Sequence, residues 1–123
     1  MKLVTGIDLI ETERIQAAIE RHGARFLRRV FTPGELELCQ GRPESLAVRF
    51  AAKEATAKAL GTGIGQISWQ EVEILNDEQK APRLVLTGAA AERSRLLGLT
   101  IWSASLSHTL TQAIALVVGV GEE

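Results

Sequence analysis

A chain of 123 residues with 14 basic and 15 acidic side chains and a formal net charge of −1 can hold one hydrophobic core but not two domains, and it lacks the basic excess of a wholesale nucleic-acid binder. Cys39 is its single cysteine, so no internal disulfide forms and a reducing compartment fits. No apolar run approaches a membrane span and the N-terminus opens into a strand pattern without a cleavable signal, which makes the cytoplasm the expected location.

Val4-Thr5-Gly6-Ile7-Asp8-Leu9-Ile10 alternates as a strand should, with Val4, Gly6, Asp8 and Ile10 on one face. Asp8 is the acidic residue on that face, and Gly6 beside it leaves space for something to approach. A helix starts at residue 12 and stops near Gly23, with Ile15 and Ile19 as a narrow apolar seam. A short helical piece follows around Phe26 and Leu27. Thr32-Pro33-Gly34-Glu35 is a capping box with proline at the first helical position. Gly41-Arg42-Pro43 breaks that helix before an alanine-rich one over 49–61, closed by Gly61 in the left-handed position past a helix end.

Leu46, Phe50, Glu54 and Lys58 lie four apart and form one stripe that begins apolar and turns ionic. Charges that continue a buried line need partners. A solvated Glu54–Lys58 pair worth about 0.3–0.5 kcal/mol is one reading, and Asp8 as a helix cap or the end of an exposed strand is its counterpart. Taken together, two carboxylates on two core elements suggest a hard metal ion between them.

Residues 61–65 read as a mobile loop. Residues 72–75 form a strand, 76–79 a turn and 84–86 the returning strand. A helix over 89–97 ends at Gly98, and 101–106 with 113–120 make a final antiparallel pair. The order predicts an α+β fold, a mostly antiparallel sheet packed against a long helix and shorter helices in one domain over residues 1–123. The last strand has almost no polar face, so it is central or lies against a neighbour. Aromatic content is 4% with no tyrosine, which favours completing burial by self-assembly.

Arg14, Arg21, Arg25, Arg28 and Arg29 crowd the first helix and its extension, opposed by Glu13 and Glu20. Arg21, Arg25 and Arg28 share a face if the turn at Gly23 does not break it. A basic patch on a nearly neutral protein is an address for something acidic, with a solvated arginine face as the plainer reading. His22, beside Gly23, reads as a helix-end histidine. His108 closes a Ser-Leu-Ser-His run at a strand end, where a turn histidine is the ordinary expectation.

Gly6-Ile7-Asp8, Arg14-Ile15, Phe31-Thr32 with Glu35, the block from Phe50-Ala51-Ala52-Lys53-Glu54-Ala55 to Lys58-Ala59-Leu60-Gly61, and Ser105-Leu106-Ser107-His108-Thr109 occur in one order. Over essentially the whole chain this set resembles the short, stand-alone 4′-phosphopantetheinyl transferases, the holo-acyl-carrier-protein synthases. The resemblance implies Mg²⁺-dependent transfer of the 4′-phosphopantetheine arm of coenzyme A to a serine of apo-acyl carrier protein, releasing adenosine 3′,5′-bisphosphate. It implies Asp8 and Glu54 as metal ligands, and Lys58 as a charge that reaches the pyrophosphate and stabilises the transfer. Either Glu54 or a metal-bound water would accept the serine proton.

The resemblance further assigns His108 to the 3′-phosphate of coenzyme A. Arg49, one residue before Phe50, reads as a second phosphate contact, and the glycines from Gly61 to Gly65 either let the backbone approach the ligand or form a plain flexible loop. Arg14, Arg21, Arg25 and Arg28 would dock the acidic carrier protein. Family members of this size form homotrimers with coenzyme A between subunits, and they require neither nucleic acid nor membrane. Val4 stands where the family often has glycine. A Mg²⁺-dependent nucleotide phosphohydrolase and a non-catalytic carrier-binding module are the competing readings.

Overall fold

The alternation read in residues 4–10 runs further in both directions, as the ten-residue strand β1 (Lys2–Glu11), with Gly6 and Ile10 buried and Leu3, Ile7 and Leu9 outside. The computed structural model describes residues 1–122. α1 (Thr12–His22) leaves β1 directly and ends at Gly23, whose φ of 55° disfavours any side chain. α2 (Ala24–Val30) and α3 (Pro33–Cys39) follow, then α4 (Pro43–Ala59), a 3-10 turn (Trp69–Glu71), β2 (Val72–Asn76), β3 (Pro82–Leu86), α5 (Gly88–Leu96), β4 (Ile101–His108) and β5 (Gln112–Gly121). Pro43 opens α4 in its first turn, where a missing N–H costs nothing, so the helix begins six residues before the alanine-rich block.

The strands form two antiparallel sheets rather than one. β5 lies between β1 and β4, and β2 pairs with β3 alone. β1 and β5 are in register from Lys2 opposite Gly121 to Glu11 opposite Gln112. α4 crosses the inner face of the three-stranded sheet and buries Ala47, Ala51, Ala52, Ala55 and Ala59. Small side chains let its backbone come close, and Gly6 completes the approach. A β-carbon there would sit 1.8 Å from the carbonyl oxygen of Ala55. The space expected beside Asp8 is therefore filled by helix backbone, not offered to a ligand.

β5 is central, the first of the two placements its composition allowed, and its outer face is uncovered. Ile7, Leu116 and Ser105 lie side by side across β1, β5 and β4, as do Leu9, Ile114 and Ser107. Ile7 is 54% exposed and Leu116 41% exposed, on a face that is apolar across β1 and β5 and carries serines on β4.

Candidate active site

Asp8 projects from the inner face of β1, two residues beyond the point where Gly6 meets α4. Glu54 and Lys58 come from the ionic end of the α4 stripe, whose other end, Leu46, is buried. The stripe thus runs out of the core toward the β1 edge. Lys58 Nζ donates to Asp8 Oδ1 and to the Ile7 carbonyl, both at 2.9 Å. The ammonium reaches across from helix to strand, so its ion pair is with Asp8 and not a solvated bridge along α4.

Burial pushes the Glu54 carboxyl above its ordinary pKa, and the Asp8 charge adds to that. Lys58 and then Arg14 pull it back without cancelling the rise. Two carboxylates and two cations therefore share one small region at the junction of β1, α1 and α4. A like-charge carboxylate pair with one member disfavoured as an anion is a donor set that a cation relieves. Among the described residues no three His, Cys, Asp or Glu side chains come together. An open set of two oxygen donors suits Mg²⁺, which keeps waters and phosphate oxygens, and does not suit a closed zinc site.

The remaining expected residues are dispersed. His108 ends β4 on the same inner face as Asp8, since it pairs with Ala113, which pairs with Ile10. It is exposed, and its Nδ1 lies 3.4 Å from the Thr109 carbonyl. Arg49 is not brought to the carboxylates within the chain. It is buried, and it donates to the carbonyls of Ile74 (3.0 Å) and Ser45 (3.2 Å) and to Asn76 Oδ1 (3.3 Å). Its guanidinium holds β2 against α4. Gly61 has φ of 72° just past α4, and Arg93 Nε donates to the neighbouring Leu60 carbonyl at 3.0 Å.

The arginine patch is divided. α1 stops at His22 and α2 restarts at Ala24, so Arg21, Arg25 and Arg28 do not share one helical face. Arg25, Arg29, His22 and Phe26 line one shallow cleft. Arg28 and Arg29 border a second, of about 500 Å³, floored by Ile64, Ile67 and Trp69. Trp69 stacks on Phe50 with ring centroids 4.7 Å apart, one turn before Glu54 on the same stripe.

Sequence reasoning missed Lys53 and the second role of Glu35. Both are fully buried, and Lys53 Nζ lies 2.8 Å from Glu35 Oε1. Burial pushes the Lys53 ammonium below its ordinary pKa, and Glu35 opposes the shift. The capping box located Glu35, and Thr32 N does donate to its Oε1 at 2.9 Å. Nothing local showed that the same carboxylate also meets a lysine 18 residues on.

Residues 5–112 match the model of the 4′-phosphopantetheinyl transferase superfamily. The chain is 52% identical over 126 residues to the holo-[acyl-carrier-protein] synthase of Herpetosiphon aurantiacus, covering 97% of this chain and 99% of that one. It is 48% identical to that of Chloroherpeton thalassium, over 92% and 93% of the two chains. Among solved structures it resembles the Helicobacter pylori holo-[acyl-carrier-protein] synthase in complex with coenzyme A. That likeness has a TM-score of 0.86 and 36% identity over 94% of this chain and 99% of that one. The Bacillus anthracis synthase in complex with CoA (3′,5′-ADP) gives a TM-score of 0.79 at 34% identity, over 97% and 96%.

Proposed function

Since this chain belongs to the 4′-phosphopantetheinyl transferase superfamily, as an enzyme of the holo-[acyl-carrier-protein] synthase kind, we propose that it moves the 4′-phosphopantetheine arm of coenzyme A to a serine of apo-acyl carrier protein. The products are holo-acyl carrier protein and adenosine 3′,5′-bisphosphate, and the reaction requires Mg²⁺. The observation that carries this reading is the meeting of Asp8, Glu54 and Lys58 where β1 and α4 cross. Asp8 and Glu54 are the metal ligands. They would hold Mg²⁺, which would supply charge neutralisation for the phosphoryl transfer.

Lys58, paired with Asp8 in this structure, would present its ammonium to the pyrophosphate as a point charge matched to the charge that develops there. Glu54, with its raised proton affinity, is suited to take the serine proton, or a water held at the metal would take it. No covalent enzyme intermediate is needed, because direct in-line transfer uses these groups alone. His108 grips the nucleotide end of coenzyme A at its 3′-phosphate. Gly61 lets the backbone after α4 come near the ligand. Arg49, committed to β2 in its own chain, contacts phosphate only from a neighbouring subunit.

The protein works as a homotrimer with coenzyme A between subunits, and the apolar outer face of β1 and β5 supports this. Arg14, already beside Glu54 electrostatically, meets the acidic carrier protein together with Arg21, Arg25 and Arg28 from two helices. No helix among the described residues is long and apolar enough to cross a membrane, and we place the transferase, a single domain, in the cytoplasm, serving lipid metabolism through fatty acid biosynthesis.

Intact mass of apo-acyl carrier protein after incubation with this protein, coenzyme A and Mg²⁺ tests the proposal. The expected gain is one phosphopantetheine arm, abolished by Asp8→Ala or Glu54→Ala. Release of phosphate without modification of the carrier would instead make the protein a phosphohydrolase. Binding of coenzyme A with neither product would leave a carrier-binding module.

A further inference from the structure

Lys53, the residue before Glu54, carries an ion pair for which the transfer reaction has no direct use. Its ammonium meets Glu35 Oε1 at 2.8 Å and donates to the carbonyls of Trp69 (3.0 Å) and Val72. An ammonium has three donors, and all are taken. Glu35 in turn accepts from Thr32 N at 2.9 Å and from Ile74 N at 2.8 Å. One buried charge pair thus ties the cap of α3, the middle of α4, the 3-10 turn and β2 to a single point.

Such a pair is a poor source of net stability. Desolvation offsets the Coulomb attraction, and well-packed apolar side chains of similar volume commonly do as well or better. What it does provide is direction. Two fixed carbonyls and an immobilised carboxylate admit one position of the ammonium, whereas an apolar side chain tolerates sliding. On the other flank, the Ala55 carbonyl lies against Gly6 of β1, the strand that carries Asp8. Residues 53 and 55 are therefore pinned in different directions, one to β2 and one to β1, and Glu54 lies between them.

We propose that the Lys53–Glu35 pair is a positioning device for Glu54, fixing the rotation and height of α4 so that the Glu54 carboxylate stands at metal-sharing distance from Asp8. The proposal rests on the reading of Asp8 and Glu54 as Mg²⁺ ligands. Neither Lys53 nor Glu35 touches substrate, and their effect passes through Glu54.

The test is calorimetric titration of Mg²⁺ into the coenzyme A complex of four proteins: wild type, Glu54→Gln, the double variant Glu35→Leu/Lys53→Met, and Glu35→Asp. The double variant replaces the pair by apolar side chains of similar size. It leaves the Thr32 and Ile74 N–H groups and two carbonyls unpaired and so should melt below the wild-type temperature. It should also bind Mg²⁺ about tenfold more weakly, in the range for outer partners of metal ligands. Glu35→Asp keeps the charges but withdraws the carboxylate by one methylene, and it should lose several-fold in Mg²⁺ affinity while folded. The same loss should raise the KM for Mg²⁺ more than it lowers kcat at saturating metal. Wild-type Mg²⁺ affinity in either variant overturns the proposal, and Glu35→Asp decides if the double variant does not fold. Equal binding by wild type and Glu54→Gln would sink the metal assignment itself, and the positioning role with it.

Discussion

Glu54 and Lys58 make the sharpest claims at the scale of single residues. The Glu54 carboxyl has a pKa above its unfolded value, so the folded protein binds its proton more tightly than the unfolded chain does. Its ionised form therefore costs stability above that raised pKa, and the cost disappears as pH falls below the ordinary carboxylate value. Without metal, Glu54→Gln should raise the melting temperature at pH 7–8 and lose this advantage near pH 4. The same substitution should cut turnover by about a hundredfold or more. Mg²⁺ needs the anion, so its affinity should climb with pH through the Glu54 titration, with proton release visible in calorimetry run in buffers of different ionisation enthalpy. Lys58→Met should act in two directions. It frees Asp8 from its ion pair, so Mg²⁺ should bind several-fold more tightly in the absence of coenzyme A. Turnover should nevertheless fall about a hundredfold, the scale for removing one charge-stabilising donor. A variant with unchanged metal affinity and normal turnover would remove Lys58 from the site.

At the scale of elements, the meeting of β1 and α4 decides everything near the carboxylates. Gly6→Ala puts a methyl 1.8 Å from the Ala55 carbonyl, and neither the strand nor the helix has flexible side-chain atoms to yield there. We expect a loss of about 1–3 kcal/mol in denaturant melts, typical of overpacking, together with weakened Mg²⁺ binding as Glu54 moves from Asp8. Much of this level was legible in the sequence. The alternation around Asp8, the capping box at Thr32 and the glycine after α4 are local patterns, and local patterns report local backbone. What escaped was long-range. That Gly6 serves helix packing, that Arg49 spends its donors on β2, and that Lys53 finds Glu35 all depend on which elements become neighbours. Helical periodicity did align Glu54 with Lys58, but only the fold shows that Lys58 turns across to Asp8. The arginine face failed for a related reason, because spacing counted through Gly23 assumes a continuous helix.

For the molecule as a whole, the uncovered sheet face is the principal prediction. Leu116 sits on the central strand with its side chain outward, so Leu116→Glu should leave the monomer folded. Light scattering on a sizing column should show loss of the proposed trimer, and coenzyme A binding should fall with it if the site spans subunits. A monomeric wild type that binds coenzyme A would refute the assembly. The divided arginine patch predicts that the KM for carrier protein rises with ionic strength, because such steering is screened beyond about 8–10 Å at physiological salt. A KM indifferent to salt would take these arginines out of docking.

The register of β1 against β5, from Lys2 opposite Gly121 to Glu11 opposite Gln112, also sets when the protein can begin to work. Asp8 is synthesised before Glu54, and both precede β5. Yet the strand bearing Asp8 has no hydrogen-bonding partner until residues 112–121 have emerged from the exit tunnel. Contacts between positions so distant in sequence close late, after the entropy of the intervening loop has been met. A nascent chain stalled after α5 would expose both proposed metal ligands without holding them together, so catalysis waits for β5 to join the sheet.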